Sequence, residues 1–184
     1  MQDFIQKIDA LANAYKKLPT EIATIAVNFS KERFREQNWW NTSKTQWKAR
    51  KINRKGSKKK SQTLLVDTGR LKRSIRKISA NENQIIIGSD VPYAQIHNDG
   101  GTIRETVTVK SYNKKAYNRK AHTRTVRGRK QNVKAGTIKS HNVNSHTRNM
   151  NVTIPARPFI GQSAELEKRI LNHIQTAFEK ALNS

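Results

Sequence analysis

The sequence contains no cysteine among its 184 residues, which excludes disulfides, thiolate metal ligands and a cysteine nucleophile. Acidic residues are scarce, since 13 Asp and Glu stand against 37 Lys and Arg, for a formal net charge of +24. A nuclease needs clustered acids to hold its metal ion, and this chain has few. No apolar run approaches the roughly 18 residues of a membrane span. The opening stretch MQDFIQKIDALANAYKK is too polar for a signal peptide, so we expect no membrane partner.

The excess of positive charge predicts a strongly electropositive surface, whose natural partner is a polyanion or an acidic protein surface. The length suits one domain with a real core. We therefore predict a single domain over 1–184 that carries a basic loop at 48–62 and an inserted basic arm at 103–152.

The first 29 residues have the apolar spacing of amphipathic helices. Apolar residues recur at steps of four and three at Phe4, Ile8, Leu11, Tyr15 and Leu18, and the apolar pattern continues at Ile22, Ile25, Ala26 and Phe29. Because the residue before a proline avoids the helical region, Pro19 predicts a break at Leu18 and the start of a second helix. We expect both stripes to pack on a sheet.

Three tryptophans, Trp39, Trp40 and Trp47, precede the basic loop. We expect them to anchor that loop by packing against the helices. A stacking platform for bases is the alternative, although the neighbouring residues lack the strand pattern on which such platforms sit.

Short elements follow from Leu64 onward. Asp67 or Thr68 can cap a short helix that carries Leu71 and Ile75, and the segments RKISA and QIIIGS flank a turn at NEN. The stretch VPYAQIH predicts another short helix, and Ser163 is placed as the N-cap of the last one. The order predicts an α+β fold, with N- and C-terminal helices packed on a small, mainly antiparallel sheet built from roughly 76–80, 84–89, 102–110 and 150–155.

The arm contains a five-residue repeat. Its units are SYNKK, AYNRK and AHTRT from Ser111, and AGTIK, SHNVN and SHTRN from Ala135, with Gly128 at the tip of a predicted long hairpin. Five is neither the strand nor the helix period, so we expect a protruding β-arm, either structured by itself or disordered in the isolated subunit. Its expected contacts are basic: Arg104, Lys110, Lys114, Lys115, Arg119, Lys120, Arg124, Arg127, Arg129, Lys130, Lys134, Lys139 and Arg148.

No catalytic constellation stands out. His97 lies beside Asp99 and Gly100, but a histidine in a turn is more often structural. The arm histidines, His122, His141 and His146, lack a nearby carboxylate or thiolate, so we expect no metal site. We expect no enzyme activity and no cofactor.

Three motifs in order, LLVDTGRLKRSI, IIIGSDVPYAQIHNDGG and IPARPFIG, resemble the phage virion morphogenesis family, the tail-completion proteins of Mu-like phages and prophages. The resemblance implies a virion component, present in the host cytoplasm during assembly, that works as a ring at the neck or tail end. Such a ring caps the tail and helps it join the DNA-filled head. Its implied partners are other copies, other neck proteins, and tail-tube or head-connector subunits.

The motif IPARPFIG is a rigid corner before the last helix. Pro155 and Pro158 stiffen it, Phe159 can fill the core, and Arg157 is expected to point outward at a subunit interface. The alternative is that Arg157 caps a carbonyl or carboxylate within its own subunit. The same motifs add Tyr93 and His97 to the predicted assembly surface.

The arm leaves two functions open. The chain is a ring subunit whose arm reaches neighbouring subunits or the DNA in the channel, or it is a DNA-binding protein held by phosphate contacts without base readout. At this point we favour a protein partner for the arm, because a ring needs interlocking elements and tightly held DNA would resist ejection.

Overall fold

The fold is described from a computed structural model, which covers residues 2–49 and 63–183. Most of the predicted basic loop at 48–62 lies outside the described residues. The chain divides into two compact units, Met1–Gly101 with Thr153–Ser184, and Thr102–Val152. The second unit, here named the basic ribbon, spans almost the same residues as the predicted arm.

Within residues 2–49 and 63–183, the first unit contains four helices and two hairpins. The helices are α1 (Gln2–Glu36), α2 (Arg70–Ser74), α3 (Ala94–Asp99) and α4 (Ala164–Leu182). The hairpins are formed by β1 (Asn38–Trp40) with β2 (Lys44–Gln46) and by β3 (Arg76–Ala80) with β4 (Ile85–Gly88), both antiparallel. The hairpin predicted around NEN and the two short helices are therefore confirmed. The predicted cap of α2 is wrong, because its N-cap is Gly69 instead of Asp67 or Thr68, and the helix ends before Ile75.

The predicted helix break at Leu18 is wrong, because α1 runs through Pro19 as one helix of 35 residues. A proline inside a helix costs about 3 kcal/mol through the lost hydrogen bond and ring clash. The burial of Leu18 before Pro19 and of Ala23 after it offsets this cost. The antiparallel helix α4 also clamps the second half of α1, since Arg169 bonds to Glu32 at 2.9 Å and His173 bonds to Glu21 at 2.8 Å.

The core of the first unit joins distant parts of the chain. Its buried members are Phe34, Trp47, Leu71, Ile75, Val91 and Phe159. Phe34 contacts the rings of both Trp47 and Phe159, with centroid distances of 5.6 and 4.9 Å. Ser163 caps α4 as predicted, because its Oγ accepts a hydrogen bond from the Leu166 amide at 3.2 Å.

The α+β class is confirmed, but the strands pair differently from the prediction. The four expected strands occur as β3, β4, β5 (Gly101–Val109) and β12 (His146–Ile154). In the described part of the chain they form two separate antiparallel pairs, β3 with β4 and β5 with β12, instead of one sheet. A bulge between Lys77 and Ser79 distorts the β3 strand, and bulges are common where a sheet stops pairing.

The basic ribbon is a hairpin built from short paired strands. Between β5 and β12 lie β6 (Tyr112–Lys114), β7 (Tyr117–Arg119), β8 (His122–Val126), β9 (Arg129–Val133), β10 (Gly136–Ile138) and β11 (His141–Val143). The pairs are β6 with β11, β7 with β10, and β8 with β9. Arg127 and Gly128 form the turn with φ angles of 49° and 77°, the positive pair that a tight two-residue hairpin turn requires. The turn predicted at Gly128 is confirmed.

Candidate functional site

The proline corner, residues 154–161, is fixed to the segment after β2. Arg157 is only 8% exposed, and its Nε and Nη2 both donate to the carbonyl of Lys48, at 3.0 and 2.9 Å. Trp47 Nε1 donates to the carbonyl of Pro158 at 2.9 Å. The expected outward placement of Arg157 is wrong, because the planar guanidinium finds a carbonyl within its own chain, as the alternative interpretation proposed.

Phe159 fills the core, as predicted. It is 1% exposed and packs on Phe34. The backbone amides of Phe159 and Ile160 both donate to Oδ1 of Asn98, at 2.9 and 3.0 Å. A single side chain at the end of α3 therefore satisfies two amides of the corner and fixes its angle.

Gly100, directly after α3, lies against the same corner. Its φ is +75°, and a Cβ there would come within 2.6 Å of the Ala156 nitrogen. Both the conformation and the close approach require glycine at this position. The corner is therefore held on one side by α3 and on the other by the segment that contains Trp47.

His97 of α3 lies beside Tyr93, the N-cap of the same helix, with ring centroids 5.8 Å apart. Within the described residues, Nδ1 of His97 is buried without a hydrogen-bond partner. Burial, together with the nearby charge of Arg157, lowers the pKa of His97. Asp99 accepts a hydrogen bond from Asn98 at 2.7 Å, so the structure does not join it to His97 as an acid–base pair.

A groove of about 290 Å³ opens beside these residues. Its walls are the segment 64–71, Tyr93, His97 and Arg157. Four aliphatic side chains, those of Leu64, Leu65, Val66 and Leu71, share this groove with the polar or charged side chains of Asp67, Thr68, Arg70, Tyr93, His97 and Arg157.

Sequence reasoning missed a buried arginine in α1. Arg33 is fully buried and donates to Asn38 Oδ1 at 2.7 Å, and it lies 4.5 Å from the ring centroid of Phe29. Trp40 lies 5.5 Å from Arg33 and 5.2 Å from Arg169. The tryptophans thus pack against helices, which is the interpretation that we favoured over a stacking platform for bases. The contact between Arg33 and Phe29 could have been predicted from the sequence, because Arg33 follows Phe29 by four residues.

Arg169 closes this cluster from α4. Burial by itself would lower the pKa of Arg169, but hydrogen bonds and charges from Glu165 and Glu32 outweigh it and raise the pKa. The contacts to Glu165 and Glu32 are both 2.9 Å. This ion-pair network joins α4 to α1.

The first half of the α1 stripe does not pack as predicted. Phe4 is 68% exposed and Ile8 49%, and Tyr15 is also exposed. Tyr15 is the first residue of α1 to line a groove shared with Ile174 and Phe178 of α4, and Phe4 and Ile8 precede it in the helix. An apolar groove of about 370 Å³ continues from this stripe, between Tyr15, Ile85 and Phe178. We name these residues of α1 the N-terminal stripe: Phe4, Ile5, Ile8 and Tyr15.

Cross-strand pairs in the basic ribbon follow the five-residue repeat. Tyr112 faces Val143, and Tyr117 faces Ile138. Each arm histidine uses the same bond: Nδ1 of His122, His141 and His146 contacts the carbonyl two residues earlier, at 3.1 to 3.2 Å. In these three units the histidine ring therefore contacts the last carbonyl of the preceding unit. Among the described residues, no group of three metal-ligating side chains is found.

The model of the phage virion morphogenesis family matches residues 1–179. No curated protein matches the chain. No solved structure matches it either. In the described residues, no helix has the length and apolarity needed to cross a membrane. The chain belongs to the phage virion morphogenesis family, and its role is structural, in building the virion.

Proposed function

We propose that the chain, as a member of the phage virion morphogenesis family, forms a ring at the neck or tail end of a tailed phage or prophage particle. The ring completes the tail and joins it to the DNA-filled head. Its partners are other copies of the chain, other neck proteins, and tail-tube or head-connector subunits. The family match over 1–179 supports a structural role of this kind.

The observation that carries the ring proposal is the exposed N-terminal stripe. Phe4, Ile5 and Ile8 occupy one end of α1 and remain exposed, although the same helix buries Phe29 and Phe34 completely. Contiguous apolar surface on a strongly charged chain marks an interaction site, which we assign to a protein contact. The stripe continues into the groove beside Phe178, so a neighbouring copy that packs there would cover both.

The rigid proline corner supports the same proposal. The corner is fixed by Lys48, Asn98 and the core ring Phe34, so α4 leaves it at one defined angle. A closed ring needs the same angle in every subunit, because a varying rotation gives open chains. We propose that the corner sets this angle from inside the subunit, while Tyr93 and His97 line the groove that a partner segment enters.

The test of the neck role is a chain-terminating mutation in a phage that encodes this chain. Electron microscopy of the lysate is expected to show DNA-filled heads and separate tails that do not join. A suppressor host that restores the full chain is the control. Joined, infective particles in the absence of the chain would exclude the proposal.

A further inference from the structure

The basic ribbon carries charge that its own residues do not neutralise. It has thirteen Lys and Arg residues and one acid, Glu105, so half of the net charge of +24 lies there. All of these cations except Arg119 are exposed. Over 2–49 and 63–183, no ion pair includes any of them. Arg119 and Arg124 bond to neutral groups, the Lys134 carbonyl and the Gln131 amide oxygen. The positive charge of the basic ribbon is therefore available to bind an external anion.

The repeat spaces these cations regularly. On one strand, Lys115 and Lys120 end successive units, and on the other strand Lys139 ends the unit AGTIK while Lys134, five residues earlier, directly precedes it. Five residues of extended chain span about 16 Å at roughly 3.3 Å per residue. Because the pairing keeps one register, with Tyr117 opposite Ile138 and His122 opposite Val133, the spacing is maintained along the ribbon. Charges at regular intervals match a polymer with evenly spaced charges, such as a phosphate backbone.

A second copy of the chain is a poor partner for the ribbon. The other residues hold the remaining half of the net charge of +24, so a neighbouring subunit would repel it. We propose that the basic ribbon binds the phosphate backbone of duplex DNA. This binding does not depend on ring assembly, and it replaces the protein partner that the sequence favoured for the arm.

The ribbon binds without reading base sequence. Three of its Thr side chains bond to Asn side chains across the strands, which occupies groups that could contact base edges. Thr123 Oγ1 donates to Asn132 Oδ1 at 2.9 Å, and Thr137 Oγ1 donates to Asn118 Oδ1 at 3.0 Å. Lysine and arginine contacts to phosphates position a protein on DNA without specifying a sequence. Packaged DNA of any sequence would therefore be held equally.

The test measures binding of the full chain to two unrelated duplexes of roughly 30 base pairs over a range of salt concentrations. The ribbon variant changes Lys115, Lys120, Lys134 and Lys139 to Gln. The matched control removes the same charge from the first unit by changing Lys16, Lys17, Lys168 and Lys180 to Gln, all of which are exposed. Circular dichroism checks that both variants keep the fold.

The wild type is expected to bind both duplexes equally, with affinity falling steeply as salt rises. The ribbon variant should lose affinity, and its log–log salt slope should be less steep by about 0.9 for each phosphate that it no longer neutralises. The control should stay close to wild type. Equal losses in both variants, or a clear preference for one duplex, would overturn the proposal. Absence of DNA binding at about 0.15 M salt would also overturn it and favour an acidic protein partner.

Discussion

Trp47 Nε1 donates a 2.9 Å hydrogen bond to the carbonyl of Pro158, which joins two residues 111 positions apart in the chain. The bond brings the segment after the first hairpin onto the proline corner. Phe34 lies between the two segments and contacts the rings of Trp47 and Phe159. The corner is therefore a part of the core, and the family motif IPARPFIG has first of all a structural purpose.

Replacing Phe159 with alanine is expected to lower the free energy of unfolding by about 3–5 kcal/mol, because the ring is buried and its removal leaves a cavity beside Phe34. Urea unfolding followed by tryptophan fluorescence measures this loss. Leu171→Ala is the control, since Leu171 is 66% exposed and lies outside the N-terminal stripe, so its loss should change stability by about 0.5 kcal/mol or less. Similar values for both variants would show that the core is assigned wrongly.

Replacing Arg157 with alanine is expected to destabilise the subunit by about 1–3 kcal/mol, because the Lys48 carbonyl loses both of its guanidinium donors. Arg157→Lys should recover only part of the loss, since an ammonium cannot reproduce the planar fork. The measurement is again urea unfolding. If Arg157→Ala keeps full stability and only weakens assembly, Arg157 acts at the subunit interface, as its sequence context first suggested.

Stability should depend on pH through His97. Burial and the charge of Arg157 lower its folded-state pKa below the ordinary value of 6.5. As the pH falls through that value, the unfolded chain takes up a proton that the folded chain does not, so the free energy of unfolding falls. His97→Gln should lose less stability than wild type between about pH 7.5 and pH 5. Parallel stability curves for the two proteins would contradict this assignment.

Deleting residues 111–149 is expected to leave the first unit folded, because its core residues lie outside the ribbon. DNA binding should be lost, while assembly without DNA should match the intact chain. Light scattering and DNA titration of the same preparation give both results. Loss of assembly in the absence of DNA would restore the protein partner for the arm.

Local features were predictable from the sequence because neighbouring residues determine them. The Ser163 cap, the turn at Gly128 and the hairpin around NEN depend on a few adjacent positions. Tertiary packing decided the rest. Pro19 breaks an isolated helix, but here α4 and the burial of Leu18 keep α1 continuous. Whether the four predicted strands form one sheet or two separate pairs likewise depended on pairing between residues that are distant in the chain.

The candidate site shows the same division. Phe159 could be assigned to the core from its motif, since an aromatic residue between prolines and a helix has little other place to pack. The direction of Arg157 depends on Lys48, which is 109 residues away, and no local signal reports that. The exposure of Phe4 and Ile8 depends on which part of α1 packs against α4, which spacing within α1 does not reveal.

The central claim, assembly into a ring through the N-terminal stripe, is tested most directly by light scattering of the purified chain. Wild type is expected to give a closed species with the mass of a whole number of subunits, alone or with tail-tube protein. Phe4→Gln combined with Ile8→Gln should give folded monomers, while Leu171→Gln, a 66% exposed site on α4, should still assemble. A wild type that stays monomeric with and without tail-tube protein, or a stripe variant that assembles like wild type, would contradict the account.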